Sequence, residues 1–176
     1  VASPQHTYAN YGHYTVKLKS ITAYGCTDSF MATLSAYPNP VSKYHINNAS
    51  QCLRGNNFVF TDSSTLAEGM ISYLWYFGDG LTTTIPNTSH SYASDVDYDV
   101  KLVTTSDKGC KDSVTKRIYV RPMPKAIFGV DDSAQCLGGN EFNFRNMSTV
   151  KYGTKSYEWY MGDGSKSVST DPGKTY

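Results

Sequence analysis

An offset of 84 residues runs through this chain and limits what it can fold into. The hexapeptide Trp75-Tyr76-Phe77-Gly78-Asp79-Gly80 returns as Trp159-Tyr160-Met161-Gly162-Asp163-Gly164. Cys26 and Cys110, Cys52 and Cys136, Gly69 and Gly153, and Tyr14 and Tyr98 keep the same spacing. Tyr8, Tyr92 and Tyr176 carry it to three members, and no gap is needed to hold the landmarks in phase. Such a period predicts a tandem array, in which each unit closes a small core of its own and leans on its neighbours. The 176 residues hold two periods and eight residues more.

Each period reads as short strands. Between Pro38 and Pro122, Ser42 to Asn47 predicts a first strand and Gln51 to Asn56 a turn, and Phe58 and Phe60 alternate on the next strand. Tyr73, Trp75 and Phe77 then share one face of a strand, with Leu74 and Tyr76 on the other. Trp75 is the largest apolar surface of the unit and its natural core plug. Gly78-Asp79-Gly80 is a turn signal: glycine supplies positive φ, and Asp bonds backbone N–H groups two residues on. Thr82 to Ile85 reads as a short edge strand, and Tyr98, Val100 and Leu102 alternate inward on a later one. The last strand runs through Val114, Ile118 and Val120. Seven strands with a turn every 8–12 residues describe an all-β, immunoglobulin-like β-sandwich. Tyr98, and Tyr14 one period earlier, sit where a tyrosine corner would.

Composition agrees. Aromatics make up 14% of residues, 15 of them Tyr, which suits strands of an extracellular module. A net charge of +1 offers no field for nucleic acid or an anionic membrane. No apolar run approaches the ~20 residues of a membrane helix. The four Cys recur at two phases of the period, which favours disulfides and an oxidising compartment over a zinc site.

Trp75 to Gly80, then His90 with Tyr92, then Tyr98-Asp99-Val100-Lys101-Leu102, resemble the polycystic-kidney-disease (PKD) domain. His6, Tyr8, Tyr14, Val16 and Leu18 match the same pattern earlier, and Trp159 to Gly164 match it later, with Met161 for Phe and Lys174 for His. The cysteine placement narrows the resemblance to PKD-like repeats of long surface and gliding-associated adhesins of Bacteroidota. That resemblance implies a secreted, cell-surface location and a fibre or adhesin setting.

The period predicts three pieces: residues 1–37 as the C-terminal half of a unit, 38–122 as a complete one, and 123–176 as the N-terminal half of another. The chain is thus expected to be cut out of phase with its domains. Its halves would be completed by more of the same polypeptide or by another copy. The shared phase of residues 1–8 and 169–176 favours the first, because both cannot take one place. The Pro pairs at Pro38/Pro40 and Pro122/Pro124 predict stiff joints.

Candidate sites are few. Cys26, Cys52, Cys110 and Cys136 are disulfide candidates, paired within the complete unit (Cys52 with Cys110), paired between consecutive units, or left free. The two turns stand at opposite ends of a sandwich, which weighs against the first pairing. Asp79 and Asp163 could serve calcium, since loop carboxylates suit that ion; the competing reading is a carboxylate bonding the amides of its own turn. Tyr76 and Tyr160, facing away from the core, could stack on sugar rings of a surface glycan or pack on a neighbour. The scattered His residues fit no catalytic pattern, and no nucleophile elbow, zinc-protease or phosphate-loop signature occurs. The expectation is a non-enzymatic structural repeat of a secreted fibre or adhesin stalk, without a cofactor. Its partners would be copies of itself or neighbouring repeats. The alternative is a polysaccharide-binding or spacer module attached to a secreted enzyme.

Overall fold

The computed structural model describes residues 3–176; Val1 and Ala2, which open the expected first half-domain, lie outside the described residues. Strands are the regular structure throughout: β1 (Gly12–Ile21), β2 (Thr27–Ala36), β3 (Tyr44–Ile46), β4 (Ser50–Cys52) and β5 (Phe58–Asp62). They continue as β6 (Ile71–Tyr76), β7 (Thr82–Thr83), β8 (Thr88–His90), β9 (Asp97–Ser106) and β10 (Lys111–Arg121). The last five are β11 (Phe128–Val130), β12 (Phe142–Asn146), β13 (Trp159–Tyr160), β14 (Lys166–Ser167) and β15 (Gly173–Lys174). There is no helix among the described residues. The fold is all-β, as the alternation predicts.

The chain forms two compact units. One comprises Val1–Ala49, Asn57–His90 and Asp97–Ile118, the other Ser50–Asn56, Ser91–Val96 and Tyr119–Tyr176. In the first unit β3, β5 and β8 make an antiparallel sheet. It packs against a sheet in which β9 lies between β10 and β6, with β7 at the edge. The packing follows from period-two alternation: Phe58 and Phe60 of β5, Trp75 of β6, and Val100 and Leu102 of β9 all point inward and are fully buried. The Tyr44 ring meets Trp75 edge-on at 4.9 Å, and Phe60 lies 5.6 Å from Trp75. Between the sheets, the Tyr44 hydroxyl donates to the carbonyl of Val100 at 2.7 Å. Burial pushes the Tyr44 phenol up to about 12, with help from the Asp99 charge and against a bond from Lys116. The same unit holds the long hairpin β1–β2, paired from Gly12↔Ala36 to Ile21↔Thr27.

In the second unit β11, β12 and β15 pair antiparallel, and β13 and β14 form a short hairpin. Phe128 and Phe144 approach Trp159 at 5.2 and 5.7 Å. Here β4 also pairs, in parallel, with Tyr119–Arg121 at the end of β10. Sequence patterning reads Gln51 to Asn56 as a turn, so this strand is a difference. Ser50-Gln51-Cys52 has no apolar alternation of its own, and its pairing comes from β10, about seventy residues away in sequence.

Candidate functional site

The Gly-Asp-Gly turn is built as a clamp. Gly78 has φ 88°, and a Cβ there would lie 2.9 Å from the Asp99 carbonyl oxygen, so only glycine fits. The turn closes through the Phe77 N–H, which donates to Leu81 at 3.1 Å. The Asp79 carboxylate accepts the Leu81 N–H at 3.0 Å on one oxygen and meets His90 Nε2 at 2.6 Å on the other. The His90 ring stacks on Phe77, 4.2 Å between centroids and 7° from parallel. Burial raises the Asp79 carboxyl, but the His90 bond, the Leu81 amide and the His90 charge outweigh it and hold the carboxyl below its ordinary range.

The same geometry recurs 84 residues on with different side chains. Asp163 accepts the N–H and hydroxyl of Ser165 at 2.9 and 2.6 Å, and the Lys174 ammonium sits 2.8 Å from its other oxygen. The Lys174 and Ser165 donors hold this carboxyl well below the usual carboxylate range. Lys174 therefore takes the place of His90. Both carboxylates spend their oxygens on protein donors, the backbone-bonding role in the turn. Among the described residues no group of three His, Cys, Asp or Glu side chains gathers to hold a metal ion.

A second clamp is invisible to motif reading. Asn56 donates its side-chain amide to Leu53 O at 2.7 Å and Tyr92 O at 2.9 Å, and accepts the Tyr92 N–H at 2.7 Å. Asn140 repeats this with Leu137 and Tyr176, at 2.7, 2.8 and 2.7 Å. Both Asn side chains are buried. Their one sequence signal is the shared phase, 140 − 56 = 84. Each satisfies three backbone groups of a loop that would otherwise be buried without partners.

The remaining candidates are dispersed. The Tyr14 hydroxyl donates to the Asn10 carbonyl at 2.7 Å, and Tyr8 stacks on Tyr14 at 3.7 Å. Tyr98 is half-buried and borders Gly78. Tyr76 and Tyr160 are exposed, and the Lys166 ammonium lies 4.5 Å over the Tyr160 ring. All four cysteines are free thiols: Cys26, Cys52 and Cys136 exposed, Cys110 half-buried. The disulfides expected from their regular placement are not formed. For Cys52 with Cys110 the reason is geometric. Cys52 pairs with Arg121, the last residue of β10, whereas Cys110 precedes its first. Eleven strand residues at ~3.3 Å each leave ~36 Å, against the ~7 Å a disulfide spans.

The family model for the PKD domain matches residues 38–122. Collagenase ColA of Bacillus cereus is 36% identical over 56 residues, which cover 32% of this chain and 6% of that protein. The microbial collagenase of Vibrio alginolyticus is 34% identical over 68 residues, 38% of this chain and 8% of that protein. The chain therefore spans less than a tenth of the length of these relatives. Among solved structures, the PKD1 domain of Vibrio anguillarum Epp aligns with a TM-score of 0.43 and 27% identity, over 48% of this chain and 96% of that one. With its sandwich core, Gly-Asp-Gly turn and family match, the stretch 38–122 is a PKD domain, a non-catalytic β-sandwich module.

Proposed function

We propose that the chain is a non-catalytic spacer of an extracellular protein, a run of PKD-type sandwiches that sets distance and carries load between other domains. The observation that carries this reading is the recurrence of both clamps, Asp79/Asp163 and Asn56/Asn140, at one 84-residue interval. Repeated polar groups already engaged with protein partners favour mechanics over chemistry. The similarity to short stretches of collagenases, whose collagen substrate lies outside cells, supports an accessory place beside a secreted enzyme. The other setting is a surface fibre or adhesin stalk of the Bacteroidota kind, with copies or neighbouring repeats as partners, and the period supports it. In this reading residues 1–37, 38–122 and 123–176 are two half-units flanking a whole one.

A load-bearing spacer should give one discrete event when a single molecule is pulled from its termini. Unfolding residues 38–122 at ~3.5 Å per residue should release about 30 nm of chain. A smooth extension without that event would sink the reading. Retention on a polysaccharide is favoured by the exposed rings of Tyr76 and Tyr160. Pull-down on insoluble glycans with Tyr76→Ala and Tyr160→Ala as controls tests it, and no retention of the parent chain ends it.

A further inference from the structure

Two unfinished surfaces of this chain match each other through the 84-residue phase. The first is the hairpin β1–β2. Its register places Tyr14 opposite Leu34, Val16 opposite Ala32 and Leu18 opposite Phe30. Directly opposed residues point to the same side, so these six make one apolar face. Thr15, Lys17, Thr33 and Met31 belong to the other. Leu18 is 69% exposed and Phe30 72%. A two-stranded hairpin with a bare apolar face is marginal by itself.

The second surface lies in residues 123–176. It is an open groove of about 490 Å³ lined by Phe128, Phe144, Tyr157, Trp159 and Met161, with Phe128 57% exposed. The PKD domain shows what covers such a face. Tyr44, Phe60 and Trp75, which stand 84 residues before Phe128, Phe144 and Trp159, are fully buried. So are Val100, Leu102 and Ile118 of β9 and β10, which stand 84 residues after Val16, Leu18 and Leu34. The β1–β2 hairpin thus carries the side chains that fill this face in the intact domain.

We propose that the β1–β2 hairpin of one copy docks on the groove of residues 123–176 of a second copy and completes a sandwich between the two molecules. The proposal rests on the reading of 84-residue units given above. The overlap of residues 3–8 with 171–176 does not block it. In the acceptor β15 already pairs with β12, and Asn140 clasps Tyr176. Residues 3–8 of the donor form no strand and stay outside, and the donor enters from Ala9, the next residue in phase after Tyr176. Donor and acceptor faces differ, so the contact is heterologous and propagates head to tail.

Sedimentation of the full chain over a wide concentration range tests this. The expected result is a series of oligomers that grows with concentration. Leu18→Asp on the donor face, or Phe128→Asp on the acceptor face, should weaken association about 30-fold or more, as loss of a central anchor does. Lys17→Glu, on the opposite face of the hairpin, should leave it unchanged. Mixing the Leu18→Asp and Phe128→Asp variants should give a one-to-one pair that grows no further, because each retains one intact surface. A monomer at every concentration, assembly indifferent to Leu18→Asp, or no pair on mixing would overturn the proposal. The 30 nm unfolding event of residues 38–122 should persist in Leu18→Asp, so failure of docking and failure of the spacer reading are read separately.

Discussion

Trp75 and Trp159 hold the same phase and have nearly the same ring neighbours, yet one is sealed and the other is not. Aromatic partners stand 4.9 and 5.6 Å from Trp75 and 5.2 and 5.7 Å from Trp159. Trp75 is fully buried, while Trp159 is half-buried. The short strands thus assemble the aromatic cluster in both places, and the long pair β9–β10 supplies the burial in one. Sealing has a cost. The Trp75 indole N–H is buried without a partner among the described residues, whereas that of Trp159 donates to Ser169 at 2.9 Å. An unmade bond costs ~1–3 kcal/mol, less than the ~5 kcal/mol from burying ~200 Å² of indole. The apolar term wins.

That contrast can be broken by mutation. Trp75→Ala should destabilise the chain by ~3–5 kcal/mol, the range for large aromatics in packed cores. Trp159→Ala should cost less than half of that in dilute solution. Urea denaturation followed by circular dichroism reads both, and equal losses would remove the contrast. Next in size is the turn. Gly78 and Gly162 share φ values of 88° and 87°, so an alanine at either meets the left-handed backbone cost of ~1–2 kcal/mol. A Cβ at Gly78 would also press on the Asp99 carbonyl at 2.9 Å, while one at Gly162 meets nothing within 4 Å. Gly78→Ala should therefore lower the melting temperature clearly more than Gly162→Ala.

Acid should give a smaller effect. The Asp79 carboxyl is held below its ordinary value in the fold. Its contribution is fully present above the unfolded carboxylate range near ~4 and is lost as pH falls through the lowered folded value. Asp79→Asn should flatten this acid loss by less than ~1 kcal/mol, since the pair is partly exposed and screened. A steeper acid limb in the variant would contradict the clamp. The smallest effect is expected from chelation. With the Asp79 and Asp163 oxygens engaged by protein donors, the melting temperature should not move on adding a calcium chelator. A fall reversed by calcium would assign these carboxylates to the ion.

Much of the sandwich was legible because period-two alternation is local. Phe58 and Phe60, Trp75, and Val100 with Leu102 are the inward residues that alternation marks. The turn was legible for the same reason, since Gly78-Asp79-Gly80 carries its own φ and hydrogen-bond chemistry. What escaped depends on distant partners. The parallel pairing of β4 comes from β10, and the Asn56 clasp from a loop thirty-six residues on. Regular cysteine spacing signals repetition but not proximity, and β10 keeps Cys52 and Cys110 a strand length apart.

Residue-resolved hydrogen exchange at low protein concentration tests most directly whether the 38–122 sandwich is whole and its flanks are halves. The account predicts that the amides of Phe60, Trp75 and Leu102 exchange only with global unfolding. Those of Phe144, Trp159 and Leu18, one period away, should exchange faster by orders of magnitude. Equal protection of the two sets in a monomer would contradict the account.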